Sequence, residues 1–276
     1  MPTERFHLGT TEVLVGEDLD EAIRIAAGQF AALARKRAAA KELMTAALAG
    51  GNTPRRLYSA LAFAPFAALV PWGDIHFFWG DERDVPPTHE DSNFHTANDL
   101  LLSRVAVPAA HLHRIPTGDT TAVEAADLYQ RTLTSVVPAA HGLPRLDYCL
   151  LGLGADGHTA SLFPGRPTLA QSARTVVADH IEDRGWRVSL SLPVINNSAQ
   201  ITFLVTGQAK AEIVARILQG ESAASVEPDS THDLQNDTQP PTQPPMKLPA
   251  QLVTPRDGQL TWILDADAAS LLQRPQ

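Results

Sequence analysis

Behind Asp18 the apolar positions Ala22, Ile23, Ala26, Ala27, Phe30, Leu33 and Ala34 recur at helical spacing, and Glu21 stands three places after Asp18 as in a capping pair. The spacing predicts an amphipathic helix that begins after Asp18. A short apolar run at residues 43–48 then meets Gly50-Gly51-Asn52-Thr53-Pro54. That order reads as strand, tight loop and helix, with Pro54 as the first helical residue. The unit returns at residues 74–79, where Ile75, Phe77 and Phe78 mark a buried strand, with a helix over 93–104. Residues 146–153 make another strand ending in glycine, and 199–206 another, followed by a helix near 210–218. Residues 260–264 make a last strand ahead of a C-terminal helix. At least five parallel strands therefore alternate with helices, which sets the fold class as α/β with an open, mostly parallel sheet flanked by helices.

One stretch departs from this pattern. Residues 221–249 hold six prolines and five acidic residues with few apolar ones, too little to offset the entropy of ordering them. A disordered or loop insertion is expected there, within one domain spanning residues 1–276. No internal repeat of fixed period is present.

Composition narrows the partners. With 22 Lys and Arg against 31 Asp and Glu, the net charge of −9 offers no global field for a nucleic-acid backbone or an anionic membrane. An anionic ligand must be gripped locally. The lone Cys149 excludes an internal disulfide framework and fits a reducing compartment. No apolar run approaches the ~18 residues of a membrane span, and the N-terminus lacks a basic segment followed by an apolar one. A cytoplasmic protein is expected.

Three polar clusters fall after strands, where ligands bind in open α/β sheets. Gly50 to Pro54 offers backbone N–H groups at a helix N-terminus to a phosphate, although by itself the segment reads first as a plain glycine turn. Gly80-Asp81-Glu82-Arg83, with Ser92-Asn93 downstream, places two carboxylates and a guanidinium at a strand end, either as a solvated turn or as a site. The third runs from Gly152 to Gly165 and spells G-x-G-x-x-G after a strand. A dinucleotide fingerprint fails here, because Asp156 would face the pyrophosphate and Phe163-Pro164-Gly165 would end the helix at once. What remains is Asp156 and His158 at an expected helix start, suited to acid–base work. Lys210 at a helix start gains nothing from the helix dipole, so an anion is its natural partner, and Arg187 shares that ambiguity with a solvated role. Cys149 reads as a core thiol. His111 and His113 could share a strand face toward a metal, but no third ligand is suggested nearby.

In order, these clusters resemble the 6-phosphogluconolactonase family, part of the glucosamine-6-phosphate isomerase/6-phosphogluconolactonase superfamily. The likeness covers nearly the whole chain, and His158-Thr-Ala-Ser-Leu-Phe-Pro164-Gly165 is its most discriminating piece. The resemblance implies a modified Rossmann-like fold and hydrolysis of 6-phospho-D-glucono-1,5-lactone in the oxidative pentose phosphate pathway, without metal or organic cofactor. It implies His158 as general base and Asp156 as its positioning partner. Gly51, Asn52, Thr53, Arg83, Lys210 and Arg187 then contact phosphate or oxyanion, and Asp81 is a further candidate. The partner is a small sugar-phosphate lactone, with neither nucleic acid nor membrane, and a monomer is one expectation. Glucosamine-6-phosphate deaminases share the Gly-Gly-Asn-Thr-Pro and Asp-Gly-His elements but have tyrosine where this chain has Arg83. Asn52, where serine is common in the lactonases, blurs that boundary. A sugar-phosphate sensor on a related fold is the other alternative, although no basic helix-turn-helix segment is present.

Overall fold

The structure, a computed structural model, describes residues 4–220 and 247–275, so the expected insertion lies outside the described residues except for its last three positions. The first half contains β1 (Glu4–Leu8), β2 (Thr11–Gly16), α1 (Leu19–Ala39), β3 (Met44–Leu48), α2 (Asn52–Leu61), α3 (Phe66–Leu69), β4 (Ile75–Trp79), β5 (Asp81–Arg83), α4 (Asn93–Leu100) and α5 (Ala122–Val136). The second contains β6 (Ala139–Ala140), β7 (Leu143–Pro144), β8 (Tyr148–Leu151), β9 (Val176–Ile181), β10 (Gly185–Leu190), α6 (Leu192–Asn197), β11 (Gln200–Val205), α7 (Ala211–Gln219) and β12 (Gln259–Asp265).

Among the described residues a seven-stranded sheet runs in the order β1-β2-β12-β11-β8-β3-β4. The five strands expected from the sequence, β3, β4, β8, β11 and β12, all pair in parallel, and β2 extends them beside β12. Only β1 runs antiparallel, as the second arm of a hairpin with β2. Every residue of β3 and β8 is buried. A strand covered on both faces gains nothing from polar alternation, which is why these segments read as continuous apolar runs. On α1 the predicted stripe is buried, with Asp18 accepting from the Glu21 N–H at 2.7 Å; Leu33 lies at its margin and Ala31 joins it.

Four local expectations need correction. The second helix starts at Asn52 with Gly51 as its cap at φ +103°, so Pro54 is the third helical residue. The helix at Asn93 stops at Leu100, because Leu101 leaves helical geometry before a short 3₁₀ turn over Leu102–Arg104. No C-terminal helix follows β12: residues 266–271 form turns, in which an Asp265 carboxylate oxygen accepts from the Ala268 N–H at 2.8 Å. Asp156 and His158 do not sit at a helix start, since residues 155–157 are a turn and Thr159 bridges back to Leu162.

The unpredicted feature is a second sheet, β5-β10-β9, antiparallel throughout. Gly80 makes the switch between sheets: its N–H donates to the Leu48 carbonyl of β3, while its carbonyl accepts from Leu190 of β10. Glu82 then fastens β5 to the first turn of α4. One carboxylate oxygen accepts from the N–H groups of Arg83 (2.9 Å) and Asn93 (2.7 Å), the other from Phe94 N–H (2.9 Å) and Ser92 Oγ (3.0 Å). Burial pushes the Glu82 carboxyl above its ordinary range, and these main-chain donors pull it part of the way back. In Glu82→Gln the amide nitrogen faces N–H groups it cannot accept from. The expected cost is about 2–3 kcal/mol, read as a fall in Tm of roughly 5–10 °C in thermal denaturation. An unchanged Tm would remove Glu82 from this role.

Candidate active site

Three loops meet beyond the carboxyl ends of the parallel strands and enclose a cavity of about 470 Å³. Gly51, Asn52, Thr53, Asp81, Arg83, His158, Arg187 and Lys210 all line it, so residues drawn from across the sequence converge on one volume.

The first wall is the loop after β3. Gly51 turns the chain at positive φ, so that α2 starts without a side-chain cap, and the residues of its first turn line the cavity. Gly50 has no room for a side chain: a Cβ there would lie 1.9 Å from Asn93 Oδ1. Tyr58 pins the loop from behind, accepting from the Ala49 N–H and donating to the Ala49 carbonyl. Thr53 Oγ1 meets Thr206 Oγ1 at 3.0 Å, joining this loop to the one after β11.

The second wall is β5 with its neighbour β10. Asp81 is buried and accepts from Ser161 Oγ at 2.7 Å, while Asn93 Nδ2 donates to the Asp81 carbonyl at 2.9 Å. Arg83 donates to the Asp91 carbonyl at 2.7 Å and stands opposite Arg187 in the β5–β10 register. Burial, and then the neighbouring Arg83, push the Arg187 guanidinium below its ordinary range. Two cations placed directly across a strand pair repel each other unless an anion lies between them.

The third wall carries Asp156 and His158. An Asp156 oxygen accepts from the His158 N–H at 3.1 Å and is in close contact with the imidazole Nδ1. An ionised carboxylate at Nδ1 fixes the ring proton there and leaves Nε2 as an acceptor. Burial works to raise the Asp156 carboxyl, but the hydrogen bond from the His158 N–H, the imidazole itself and Arg184 outweigh it and hold it below the usual range. Gly154 explains the glycine spacing of this loop. A Cβ on it would lie 2.0 Å from His158 Nδ1 and 2.5 Å from an Asp156 oxygen, so the glycine makes room for the pair rather than for a pyrophosphate. Phe163 backs the imidazole at 4.4 Å between ring centres. Lys210 donates to the Leu153 carbonyl at 2.7 Å; burial lowers its ammonium and nearby Asp156 opposes that.

Sequence reasoning missed Arg184, Ser161 and Asn93 as parts of this site. Arg184 sits in the turn between β9 and β10 with no motif around it. Ser161 and Asn93 lie inside recognised motifs, but their shared partner Asp81 is distant in sequence, 80 residues from Ser161.

Two other expectations can be placed. Cys149 is buried and free, with burial pushing its thiol up to about 12. His111 ends a 3₁₀ turn instead of lying on a strand, and His76 of β4 joins it and His113 in a stack of rings. His113 is pushed down to about 4 by burial and then by His76 and His111. Among the described residues no group of three or more His, Cys, Asp or Glu is arranged to hold a metal ion, and no helix is long and apolar enough to cross a membrane.

Residues 17–262 match the family described as glucosamine-6-phosphate isomerases/6-phosphogluconolactonase. A probable chloroplastic 6-phosphogluconolactonase 4 of Oryza sativa subsp. indica is 35% identical over 273 residues, covering 95% of this chain and 77% of the relative. The 6-phosphogluconolactonase of Synechocystis sp. is 36% identical over 231 residues, covering 83% of this chain and 85% of the relative. The solved structure of 6-phosphogluconolactonase from Trypanosoma brucei superposes with a TM-score of 0.78 at 26% identity, covering 97% of this chain and 100% of that one. On the match across most of its length and these identities, the chain belongs to the family of glucosamine-6-phosphate isomerases and 6-phosphogluconolactonases.

Proposed function

We propose that the chain hydrolyses 6-phospho-D-glucono-1,5-lactone to 6-phospho-D-gluconate, the second step of the oxidative pentose phosphate pathway, as a cytoplasmic enzyme with one catalytic domain. The observation that carries this reading is the Asp156–His158 pair, which leaves Nε2 as acceptor at the wall of a cavity lined with cations. A lactone is an activated ester, so a general base and oxyanion donors suffice without a covalent intermediate.

In this mechanism His158 Nε2 takes a proton from water as the water oxygen attacks C1. The tetrahedral oxyanion then re-forms the carbonyl, the bond between C1 and the ring oxygen breaks, and the imidazolium returns the proton to that oxygen. Atoms and charge balance, and the base is regenerated. Lys210, placed near Asp156, and the N–H groups of Gly51, Asn52 and Thr53 then serve the phosphate or the oxyanion. Arg83 and Arg187, paired across β5 and β10, offer two like charges for a phosphate. Asp81, oriented by Ser161 and Asn93, is an acceptor for a sugar hydroxyl. Remote phosphate binding then holds the ring near attack geometry.

His158→Gln is expected to lose roughly 10²- to 10⁴-fold in kcat, with thermal stability and phosphate-ligand binding little changed. Asp156, held below the usual carboxylate range, stays ionised beside the ring. The rate is measured above spontaneous hydrolysis. A His158→Gln enzyme that keeps its rate would pass the role of base to Asp81 or Asp156. If glucosamine-6-phosphate is turned over and the lactone is not, the family's deaminase activity replaces this reading.

Arg83→Ala is expected to cut kcat/KM for the phosphorylated lactone by about 10²-fold, while unphosphorylated D-glucono-1,5-lactone changes by less than about threefold. Equal losses on the two substrates would place Arg83 at the reacting carbonyl or in folding.

A further inference from the structure

Arg184 belongs to none of the motifs that define the site, yet it touches the reacting pair from two sides. Its Nη2 lies 3.7 Å from Asp156 Oδ2, the oxygen opposite the one that holds His158. Its guanidinium carbon stands 5.1 Å over the centre of the Phe163 ring, and the other neighbour of that ring is the imidazole of His158. The guanidinium thus closes a circuit of four side chains: Asp156, His158, Phe163 and Arg184. The turn that carries it is fixed, since the Arg184 N–H donates to the Ile181 carbonyl at 3.0 Å and Asp183 adopts positive φ.

We propose that Arg184 is a positioning residue for the Asp156–His158 pair. It holds the outer carboxylate oxygen and backs the imidazole through Phe163, so that Nε2 keeps one orientation during proton transfer. His158 engages Oδ1 through its N–H and its ring Nδ1, and the guanidinium facing Oδ2 disfavours rotation of the carboxylate about its last bond. Among the described residues the charged groups facing the pair are Arg184 from the β9–β10 turn and Lys210 from the start of α7, while Leu248, packed on Gly157, and Phe163 supply apolar contact. Lys210 donates to the Leu153 carbonyl, and among the described residues Arg184 is the cation paired with the outer oxygen. Arg83 and Arg187 lie on the second sheet, and Arg187 feels the charge of Arg184.

This inference rests on the lactonase reading for its kinetic consequence but not for its structural one, so two measurements test it. The first is carboxyl-carbon NMR of Asp156 as a function of pH in the full-length protein, with the signal assigned by Asp156→Asn. Loss of the guanidinium removes one of the charges that hold this carboxyl down, so Arg184→Gln is expected to raise its midpoint by about half a pH unit. Arg184→Lys, which keeps a charge at this place, is expected to restore it. The second is turnover of unphosphorylated D-glucono-1,5-lactone, a substrate with no phosphate for Arg184 to bind. Here kcat is expected to fall about five- to tenfold in Arg184→Gln with KM within twofold, and to recover at least in half in Arg184→Lys. A midpoint and a kcat that stay at parental values in a folded Arg184→Gln protein, with losses confined to the phosphorylated lactone, would overturn the proposal and make Arg184 an anion contact alone. Should the parent hydrolyse neither lactone, the lactonase reading fails, and the Asp156 titration still decides whether Arg184 holds the pair.

Discussion

Everything in this cleft depends on one buried carboxylate whose lone pairs are filled. Glu82 takes four donors, three of them main-chain N–H groups, and so ties the strand that leaves the main sheet to the first turn of the helix beside the cleft. Burying a charge is tolerated only with such compensation, and the compensation has a geometric result. With Asn93 held, its amide reaches the Asp81 carbonyl; with Asp81 held, Ser161 is drawn in from the loop that carries His158. The wall formed by β5 and the wall formed by the Asp156–His158 loop are thereby fixed relative to each other through side chains rather than through the sheet ladder.

Electrostatics in the site run against the charge of the whole protein. The chain carries a net −9, yet Arg83, Arg184, Arg187 and Lys210 line one cavity with few carboxylates to balance them. Such a local surplus is costly without a bound anion, and burial, joined by repulsion from Arg83, lowers the guanidinium of Arg187. Asp156 works in the opposite sense. Its charge is shared among an imidazole, an ammonium and a guanidinium.

Glycines do much of the steric work, and their reasons differ from place to place. Gly51 supplies a positive φ at the head of α2, whereas Gly50 and Gly154 are set by what lies against them: the Asn93 amide for one, the Asp156–His158 pair for the other. A glycine motif read by spacing alone suggested a dinucleotide loop. The same spacing serves to admit the Asp156 and His158 side chains close to the backbone.

The sequence by itself determined the parallel sheet and pointed to several of the residues that line the cavity. Strands covered on both faces must be apolar throughout and helices beside them must be amphipathic, and both signals are local, so β3, β4, β8, β11 and β12 could be read directly. Asp156, His158, Arg83, Arg187 and Lys210 were legible for a related reason: each sits in or next to a short motif whose chemistry is expensive without a purpose. Only the tertiary structure decided the second sheet, the pairing of Arg83 against Arg187, and the place of Arg184. These depend on partners up to about a hundred residues apart, such as β5 with β10, and no local pattern encodes which distant backbone a strand will meet after a glycine lets it leave its own sheet.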